Sequence, residues 1–365
     1  MKYLENAIKI AVLRFISLLL SPPKLLNKNI DLNSLKRILV IRQHDQLGDL
    51  LLITPGLRAL RKSFPDSFIS IIVREYTLPV ILGNPNVDKI IVFRESFMRW
   101  NFSYAIKFYK DIRQKYDCAI ILNTVSRSTS SDLIALLSKS KIIIAPNNTK
   151  LVKARKEVIY NLLAYRSEKQ IHQIERNLET IKSIGVKPNG KEYDLILNKA
   201  ESEEGNKIFK GINKKNKKKV IGVHFGTLDI SRRLPLNVLS EALNYFIKQN
   251  QYLIVLIISK NEIDLCREFE SLLINKVNVA PLMPLRIFTA FLKNLDLFLC
   301  NDTGTLHIAS SQRVPTVSFH AKNDPKEWKP PHPRHIGVRA KDHLIISITS
   351  EQVIKSIEKS IKSNH

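Results

Sequence analysis

Ionisable side chains follow an apolar run near the start of the chain, in the segment RQHDQLGD at 42–49. Arg42, His44 and Asp45 share this segment with Asp49, which comes just before an amphipathic stretch. A carboxylate at the start of a helix commonly caps it, with a stabilisation of about 1 kcal/mol. The same carboxylate can instead accept a proton as a general base. Asp49 is therefore either a cap or a base, and its three ionisable neighbours are candidates for binding a substrate.

Two later segments combine small residues with groups that suit an anion. In NDTGTLH at 301–307, small residues open a helix, so backbone N–H groups can approach an anion closely. A D-T-G triplet also occurs at the nucleophile of aspartic proteases, but here it follows a parallel strand and has no second copy. Gly226 and Thr227 are followed by Arg232 and Arg233, and guanidinium groups bind phosphate oxygens in pairs. Both segments indicate a diphosphate site.

The elements that must position these segments are short Ile- and Val-rich runs, typical of buried parallel strands. They lie at 37–41, 68–73, 89–93, 118–122 and 141–145, and again at 219–225, 252–259, 296–300 and 316–320. Amphipathic stretches between them predict helices at 50–64, 236–249, 262–274, 284–294 and 305–312. The alternation predicts right-handed strand–helix–strand units, with ligands at the carboxyl ends of the strands.

This pattern predicts an α/β protein with two Rossmann-like, doubly wound domains facing a central cleft. We assign 33–195 to an N-terminal acceptor-binding domain and 196–365 to a C-terminal nucleotide-sugar-binding domain. The charged stretch within 185–219, which ends in GINKKNKKKV, predicts an interdomain region and a solvated helix.

Residues 1–32 form an extension whose run AIKIAVLRFISLLL, at 7–20, has an apolar and a polar side. Lys9 and Arg14 interrupt the run, which disfavours a spanning helix. An amphipathic helix in the plane of a membrane surface is the preferred interpretation, while packing on the protein itself stays open.

The composition indicates an anionic partner and a reducing compartment. Lys and Arg outnumber Asp and Glu by 58 to 33, giving a net charge of +25, which attracts nucleic acid, anionic lipid or phosphorylated substrates. Cys118, Cys266 and Cys300 are far apart, so neither disulfides nor a zinc site is expected and all three are predicted to be core residues.

Several other chemistries lack their sequence signatures. No G-x-x-x-x-G-K-[ST] or G-x-G-x-x-G motif occurs, which disfavours P-loop NTPases and dinucleotide oxidoreductases. No D-x-D is present, which disfavours a metal-dependent transferase, and the HPRH segment at 332–335 lacks acidic partners for a metal.

Three ordered segments resemble glycosyltransferase family 9, which includes the ADP-heptose:lipopolysaccharide heptosyltransferases. They are RILVIRQHDQLGDLLLITPGLRALRKSFP with NPNVDKIIVF, then HFGT with RRLP, and finally LDLFLCNDTGTLHIASSQRVPTVSFH with DPKEWKPP. The resemblance spans roughly 36–340 and implies the GT-B fold and inverting transfer without a bound metal or other cofactor.

By position, the resemblance implies that Asp49 is the general base on the acceptor hydroxyl. The implied donor-binding residues are Thr227, Arg232, Glu262, Met283, Asp302, Thr303, Gly304 and His307. Arg232 stands where the family usually has a lysine beside the diphosphate. The segment SKNE at 259–262 replaces a glycine-rich turn, and His320 stands where a glycine is usual. Arg42, His44 and Asp45 are predicted to contact the acceptor.

The resemblance implies transfer of a heptose from ADP-heptose to the lipopolysaccharide inner core. The expected partners are a nucleotide sugar, a lipid-linked anionic oligosaccharide and an anionic membrane surface, with no nucleic acid. The expected location is the cytoplasmic face of the inner membrane. Two alternatives stay open: a GT-B transferase that uses another nucleotide sugar for a surface glycan, and a non-enzymatic basic protein that binds membrane or nucleic acid.

Overall fold

The computed structural model describes residues 35–124, 128–147, 159–214 and 218–363. The chain divides into two compact units, of which the first ends at Asp194 and the second begins at Leu195. The amphipathic extension predicted over 1–32 lies outside the described residues.

The first unit is built on a six-stranded sheet in the order β3-β2-β1-β4-β5-β6, with every pair parallel. The strands are β1 Arg37–Arg42, β2 Phe68–Arg74, β3 Lys89–Phe93, β4 Cys118–Ile121, β5 Ile142–Pro146 and β6 Leu162–Ala164. The five predicted strands are present within one or two residues of their expected bounds. Their Ile- and Val-rich sequences are buried on both faces, as in sheets covered by helices on both sides.

Helices connect these strands: α1 Leu47–Leu51, α2 Thr54–Ser63, α3 Leu78–Ile81, α4 Phe102–Ile112, α5 Thr129–Leu137 and α6 Gln173–Lys182. The single helix predicted over 50–64 was wrong, because two helices occupy this region. Pro55 lies in the first turn of α2, where its missing N–H costs nothing, so the proline starts a new helix. The Thr54 hydroxyl donates to the Leu51 carbonyl at 2.8 Å and fixes the break.

The second unit repeats the architecture, with a parallel sheet in the order β12-β11-β10-β7-β8-β9. Its strands are β7 Lys219–His224, β8 Tyr252–Leu256, β9 Asn278–Val279, β10 Leu297–Asn301, β11 Thr316–His320 and β12 His335–Arg339. Three edge strands were missed in the sequence: β6, β9 and β12. The first two have only three and two residues, and β12 carries a glycine and half-buried positions that weaken its strand pattern.

The helices of the second unit are α7 Lys199–Ile212, α8 Leu236–Gln249, α9 Ile263–Ser271, α10 Leu285–Leu292, α11 Gly304–Ser311, α12 Pro325–Trp328 and α13 Ser350–Ser363. The helix predicted at 236–249 is confirmed to the residue. The one predicted at 262–274 is shorter, because 260–262 form a 3-10 turn before α9 begins. No helix in the described part of the chain is both long and apolar enough to cross a bilayer.

Each unit has its own apolar core. One contains Leu39, Ile121 and Phe108, and the other contains Phe225, Phe269 and further side chains beneath β7 and β10. All three cysteines are free and buried, which confirms their prediction as core residues.

Gly205 sets how closely α7 approaches α10. A Cβ atom at this position would lie 2.4 Å from the Ala290 Cβ and 2.7 Å from the Phe291 backbone nitrogen. We expect Gly205→Ala to lower the free energy of unfolding by about 1–3 kcal/mol, because backbone atoms cannot move aside as a side chain can. Denaturant unfolding of the purified protein measures the change.

Gly211, in the same helix, is the matched control. A Cβ atom there meets nothing within 4 Å, so Gly211→Ala should be neutral or stabilising by up to about 1 kcal/mol through helix propensity. Equal stabilities of the two variants would contradict the close packing of α7 on α10.

Candidate functional site

The residues predicted to bind the donor follow neighbouring strands of the second sheet. Because these strands are parallel, the loops after them meet at one edge. Thr227 and Arg232 follow β7, Glu262 follows β8 and Met283 follows β9. Asp302, Thr303 and Gly304 follow β10, and His307 lies further along α11. The fold therefore gathers residues that are up to 80 positions apart in sequence.

A buried carboxylate, that of Asp302, organises the centre of this edge. Arg232 donates from Nη2 to the Asp302 carboxylate at 2.5 Å and to the Asp302 backbone carbonyl at 2.7 Å. The Asn323 amide donates to the same carboxylate oxygen at 2.7 Å. The guanidinium of Arg232 is about one-third exposed, whereas Asp302 is buried. Asp302 thus holds a solvent-facing cation in a fixed position.

Asn301 ties the β7 loop to the end of β10. Its amide donates to the Phe225 carbonyl at 2.8 Å, and its side-chain oxygen accepts from the Leu234 N–H at 3.0 Å. These bonds bracket the turn that carries Arg232. Sequence reasoning missed the roles of Asn301 and Asn323, although Asn301 opens the segment that contains the D-T-G triplet.

His224 joins the loops after β8 and β10. Its Nε2 lies 3.4 Å from the Glu262 carboxylate, and its Nδ1 lies 3.4 Å from the Thr305 hydroxyl. Burial raises the pKa of Glu262, but hydrogen bonds from His224 and Ser259 outweigh it and hold that pKa at about 2. The Glu262 carboxylate also lies against Gly226, where a Cβ atom would fall 1.5 Å from it. A side chain at position 226 would have to displace the Glu262 carboxylate from its hydrogen bonds.

The start of α11 offers backbone donors beside Arg232. Thr303 is the N-cap residue, but its hydroxyl lies 2.8 Å from the Thr305 hydroxyl and does not cap the helix. First-turn N–H groups of a helix can bind an anion when no side chain caps them.

The remaining predicted donor residues differ in how accessible they are. The Thr227 hydroxyl turns toward Asp229, at 3.3 Å from its backbone nitrogen. Met283 is half-buried and lies in the loop that connects β9 to α10. His307 is buried, which indicates packing beneath α11 rather than direct contact with a ligand in solvent.

In the first unit, Arg42 and Asp45 are buried and paired with each other. Arg42 donates from Nε to the Asp45 carboxylate and from Nη1 to the carbonyl of Leu122, just after β4. Burial raises the pKa of Asp45 to about 7, with the nearby Asp49 adding to the rise and Arg42 opposing it. The pair fixes the loop after β1, so the geometry favours a positioning role over the direct acceptor contact predicted for both residues.

Asp49 and His44 are the accessible members of the same loop. Asp49 lies in the first turn of α1, where its carboxylate accepts from the Gln46 N–H at 3.3 Å. It is half-buried, and within the described residues it makes no ion pair. His44 is exposed, and its Nε2 lies 2.6 Å from the Ser130 hydroxyl at the start of α5. Partial burial lowers the pKa of His44.

A serine cluster next to this loop was not anticipated. The Gln43 amide donates to the Ser131 hydroxyl at 2.8 Å, and Asn123 donates to the same oxygen at 2.5 Å. The run of serines after β4 is the sequence feature that could have predicted these contacts. Across the described ranges, no group of three or more His, Cys, Asp or Glu side chains is placed to hold a metal ion.

The chain contains two doubly wound parallel sheets. At the edge of the second sheet, Arg232 lies beside a helix, α11, that begins with small residues. These features define a two-domain α/β transferase of the GT-B class. The family model for glycosyltransferase family 9 (heptosyltransferase) matches residues 105–357. The chain belongs to glycosyltransferase family 9, and it is an enzyme that transfers a sugar.

Known proteins agree with this assignment. A Haemophilus influenzae protein that carries a provisional glycosyltransferase name is 26% identical over 311 residues, covering 81% of this chain and 86% of that protein. The family 9 glycosyl transferase of Veillonella parvula has a similar structure, with a TM-score of 0.78, 21% identity and coverage of 92% and 99%. The structure of the ADP-heptose lps heptosyltransferase II of Escherichia coli has a TM-score of 0.70 and 18% identity, and the match covers 90% of this chain and 99% of that one.

His320 lies at the end of β11 beside this site and is fully buried. Its Nε2 lies 2.8 Å from the Ser318 hydroxyl, and its Nδ1 lies 3.7 Å from the Asp302 carboxylate. Burial lowers the pKa of His320 to about 4, below its ordinary value of 6.5. Between these two pH values the unfolded chain binds more protons at this residue than the folded protein does, so the free energy of unfolding falls as the solution is acidified.

We expect His320→Gln to reduce this acid destabilisation. The loss of one titrating group can lower the slope by at most about 1.4 kcal/mol per pH unit, and His335, which titrates in the same direction, remains. Denaturant midpoints measured from pH 7 to pH 5 give the slope. At pH 8 the imidazole is neutral in both states, so the difference measured there reports packing alone. Parallel slopes for the two proteins would be inconsistent with a buried neutral His320.

Proposed function

We propose that this glycosyltransferase moves a heptose from ADP-heptose to the inner core of lipopolysaccharide, with inversion at the anomeric carbon and without a metal ion. The observation that carries the proposal is the Arg232 guanidinium, held by Asp302 beside the start of α11 in a chain of family 9. The heptosyltransferase II of Escherichia coli, whose fold this chain shares, is named for ADP-heptose and lipopolysaccharide.

The second unit supplies the donor-binding groups. The diphosphate would accept hydrogen bonds from Arg232 and from the first-turn N–H groups of α11, which together offset its charge in place of a metal. Glu262 is ionised at neutral pH and is held by His224, so it can accept hydrogen bonds from the two ribose hydroxyls. The half-buried Met283, which follows β9, would pack against the base.

The first unit supplies the acceptor-binding groups and the base. Asp49 would take the proton from the attacking acceptor hydroxyl, and His44 and the Ser130 hydroxyl would bind neighbouring polar groups of the acceptor. As the new bond forms between the acceptor oxygen and the anomeric carbon, the bond to the diphosphate breaks and the nucleoside diphosphate leaves. The proton stays on Asp49 until solvent removes it.

A second candidate is the same reaction with another nucleotide sugar for a surface glycan. Two departures from the family pattern support keeping it, namely the SKNE turn that brings Glu262 against Gly226, and His320 behind Asp302. Both adjoin the donor-binding edge. A panel of nucleotide sugars with different bases and sugars, tested on the same truncated lipopolysaccharide acceptors, separates the two candidates.

The acceptor we propose is a lipid-linked, anionic oligosaccharide. A net charge of +25 favours association with an anionic surface, and we place the enzyme peripherally on the cytoplasmic face of the inner membrane. Nucleic acid is not a proposed partner.

Asp49→Asn tests the proposed base. The amide oxygen can still accept from the Gln46 N–H, so the start of α1 is kept, but the amide cannot take up the proton. We expect turnover to fall by about 10²-fold or more. Release of ADP from ADP-heptose with truncated lipopolysaccharide measures the rate, in a buffer that contains EDTA because the proposed reaction uses no metal.

Asp66→Asn is the matched control for this substitution. Asp66 is exposed in the loop before β2, at the amino-terminal end of the parallel strands, whereas Asp49 lies beyond their carboxyl ends. Turnover of this variant should therefore stay at the wild-type level. If Asp49→Asn also retained activity within a few-fold of wild type, Asp49 would be a helix cap only.

Arg232→Ala tests the donor site. The loss of a charge-assisted hydrogen bond should weaken ADP binding by about 1.5–3 kcal/mol, which is about 10- to 150-fold in Kd. Titration calorimetry with ADP measures the change. The control is Arg233→Ala, which removes the same charge from the next residue. Arg233 lines a pocket with Leu272 and Ile346, and Arg232 is not among the residues of that pocket. Similar losses in both variants would indicate general electrostatic attraction instead of a specific site.

A further inference from the structure

Helix α4 of the first unit carries a second set of large apolar side chains, which are partly or mostly exposed among the described residues. Its inner face is accounted for by Phe108 and Ile112, which are buried in the core. Phe102, Ile106 and Tyr109 lie at spacings of four and three residues, which puts them on one side of the helix. Their exposed fractions are 83%, 38% and 48%.

Met98, in the 3-10 turn that precedes α4, is 97% exposed. We call these four residues the α4 stripe: Met98, Phe102, Ile106 and Tyr109. Single exposed apolar side chains are common on protein surfaces and need no explanation. Here four large ones lie within 12 residues, and Met98 and Phe102 are mostly in solvent. Such a concentration of exposed apolar side chains is typical of an interaction surface.

The charges around the stripe indicate the chemistry of its partner. Residues 94–115 contain six basic and two acidic side chains. Both acids are already neutralised from outside this segment, Glu95 by Arg74 at 2.5 Å and Asp111 by Lys89 at 2.6 Å.

Arg99 is paired with Glu75 at 2.6 Å, whereas the lysines next to the stripe are not compensated by any described residue. Among the described residues, Lys107, Lys110 and Lys115 make no ion pair, and the Arg113 guanidinium lies over the Tyr109 ring at 5.3 Å. An apolar stripe flanked by uncompensated positive charge is complementary to an anionic bilayer surface, where apolar side chains enter the acyl boundary and basic ones meet phosphate groups.

We propose that the α4 stripe docks the enzyme on an anionic membrane, with α4 lying in the plane of the surface. This deepens the proposed function, since it rests on a lipid-linked acceptor. The docking surface belongs to the described body of the first unit, the unit to which we assign the acceptor. It is separate from the extension over 1–32, which is present in every protein compared below.

The test is sedimentation of the full chain with vesicles of phosphatidylcholine and phosphatidylglycerol. Met98→Ser with Phe102→Ser removes the two most exposed members of the stripe, neither of which packs in the core. We expect the bound fraction to fall by about fivefold or more, because apolar burial at the interface is lost. Leu344→Ser with Ile346→Ser, two exposed residues of the second unit, is the matched control and should bind as wild type.

Lys107→Gln with Lys110→Gln tests the charged part separately. At low ionic strength this variant should bind vesicles more weakly than wild type does. The difference should shrink at high salt, where charge is screened over a few ångström. Vesicles of phosphatidylcholine alone should bind all the proteins poorly.

Transfer to a water-soluble acceptor fragment distinguishes failure of this proposal from failure of the proposed function. Wild-type protein that binds vesicles through the stripe but transfers no heptose would refute only the function. Equal vesicle binding by the stripe variant and wild type, or no binding by wild type, would overturn the docking proposal. So would size-exclusion data in which the stripe substitutions abolish self-association without changing vesicle binding, because the stripe would then be a contact between protein chains.

Discussion

The ion pair between Asp302 and Arg232 joins the loops after β7 and β10, and Asn323 brings in the segment after β11 through the same carboxylate oxygen. Asp302 is buried, so removing Arg232 would leave a buried carboxylate without its charged partner, which is more costly than losing a pair between two exposed residues. The positions of Arg232, of the start of α11 and of the Asn323 segment are therefore mutually dependent. His320, neutral because it is buried, packs behind the carboxylate without competing for it.

The first unit uses a similar device for a different purpose. Arg42 and Asp45 form a buried pair within one loop, and Arg42 also reaches the Leu122 carbonyl at the neighbouring strand. Because these two side chains satisfy each other inside the protein, the loop presents His44 and Asp49 outward. Ionisable residues that lie close in sequence thus divide into a buried pair, Arg42 and Asp45, and two more accessible residues, His44 and Asp49.

The central strands were predictable because parallel strands that are buried on both faces need continuous runs of Ile and Val. The loops that carry the candidate site were predictable because the carboxyl ends of such strands bring these loops together. The two-residue β9 and the break before α2 depend on tertiary contacts, such as the bond from Thr54 to Leu51, that leave little local signal. The contiguous segment at 301–307 could be picked out from the sequence as a candidate for the site. His224, Asn301 and Asn323 were missed because their partners lie far away in sequence. Whether a given acid faces solvent, as Asp49 partly does, or the interior, as Asp45 does, depends on packing that residue spacing does not encode.

The use of arginine at position 232, where the family resemblance implies lysine, follows from this geometry. A guanidinium has five N–H donors in a rigid plane, whereas an ammonium is a compact point charge with three. Both N–H groups of the Arg232 Nη2 are used, one on the Asp302 carboxylate and one on its backbone carbonyl. The N–H groups of Nε and Nη1 have no partner among the described residues, so three donors remain on a side chain that is already oriented. A lysine paired with Asp302 would place its whole charge at the carboxylate. Arginine can be anchored on one edge and still present donors on another, where the diphosphate of the proposed donor would accept them with little reorganisation of the side chain.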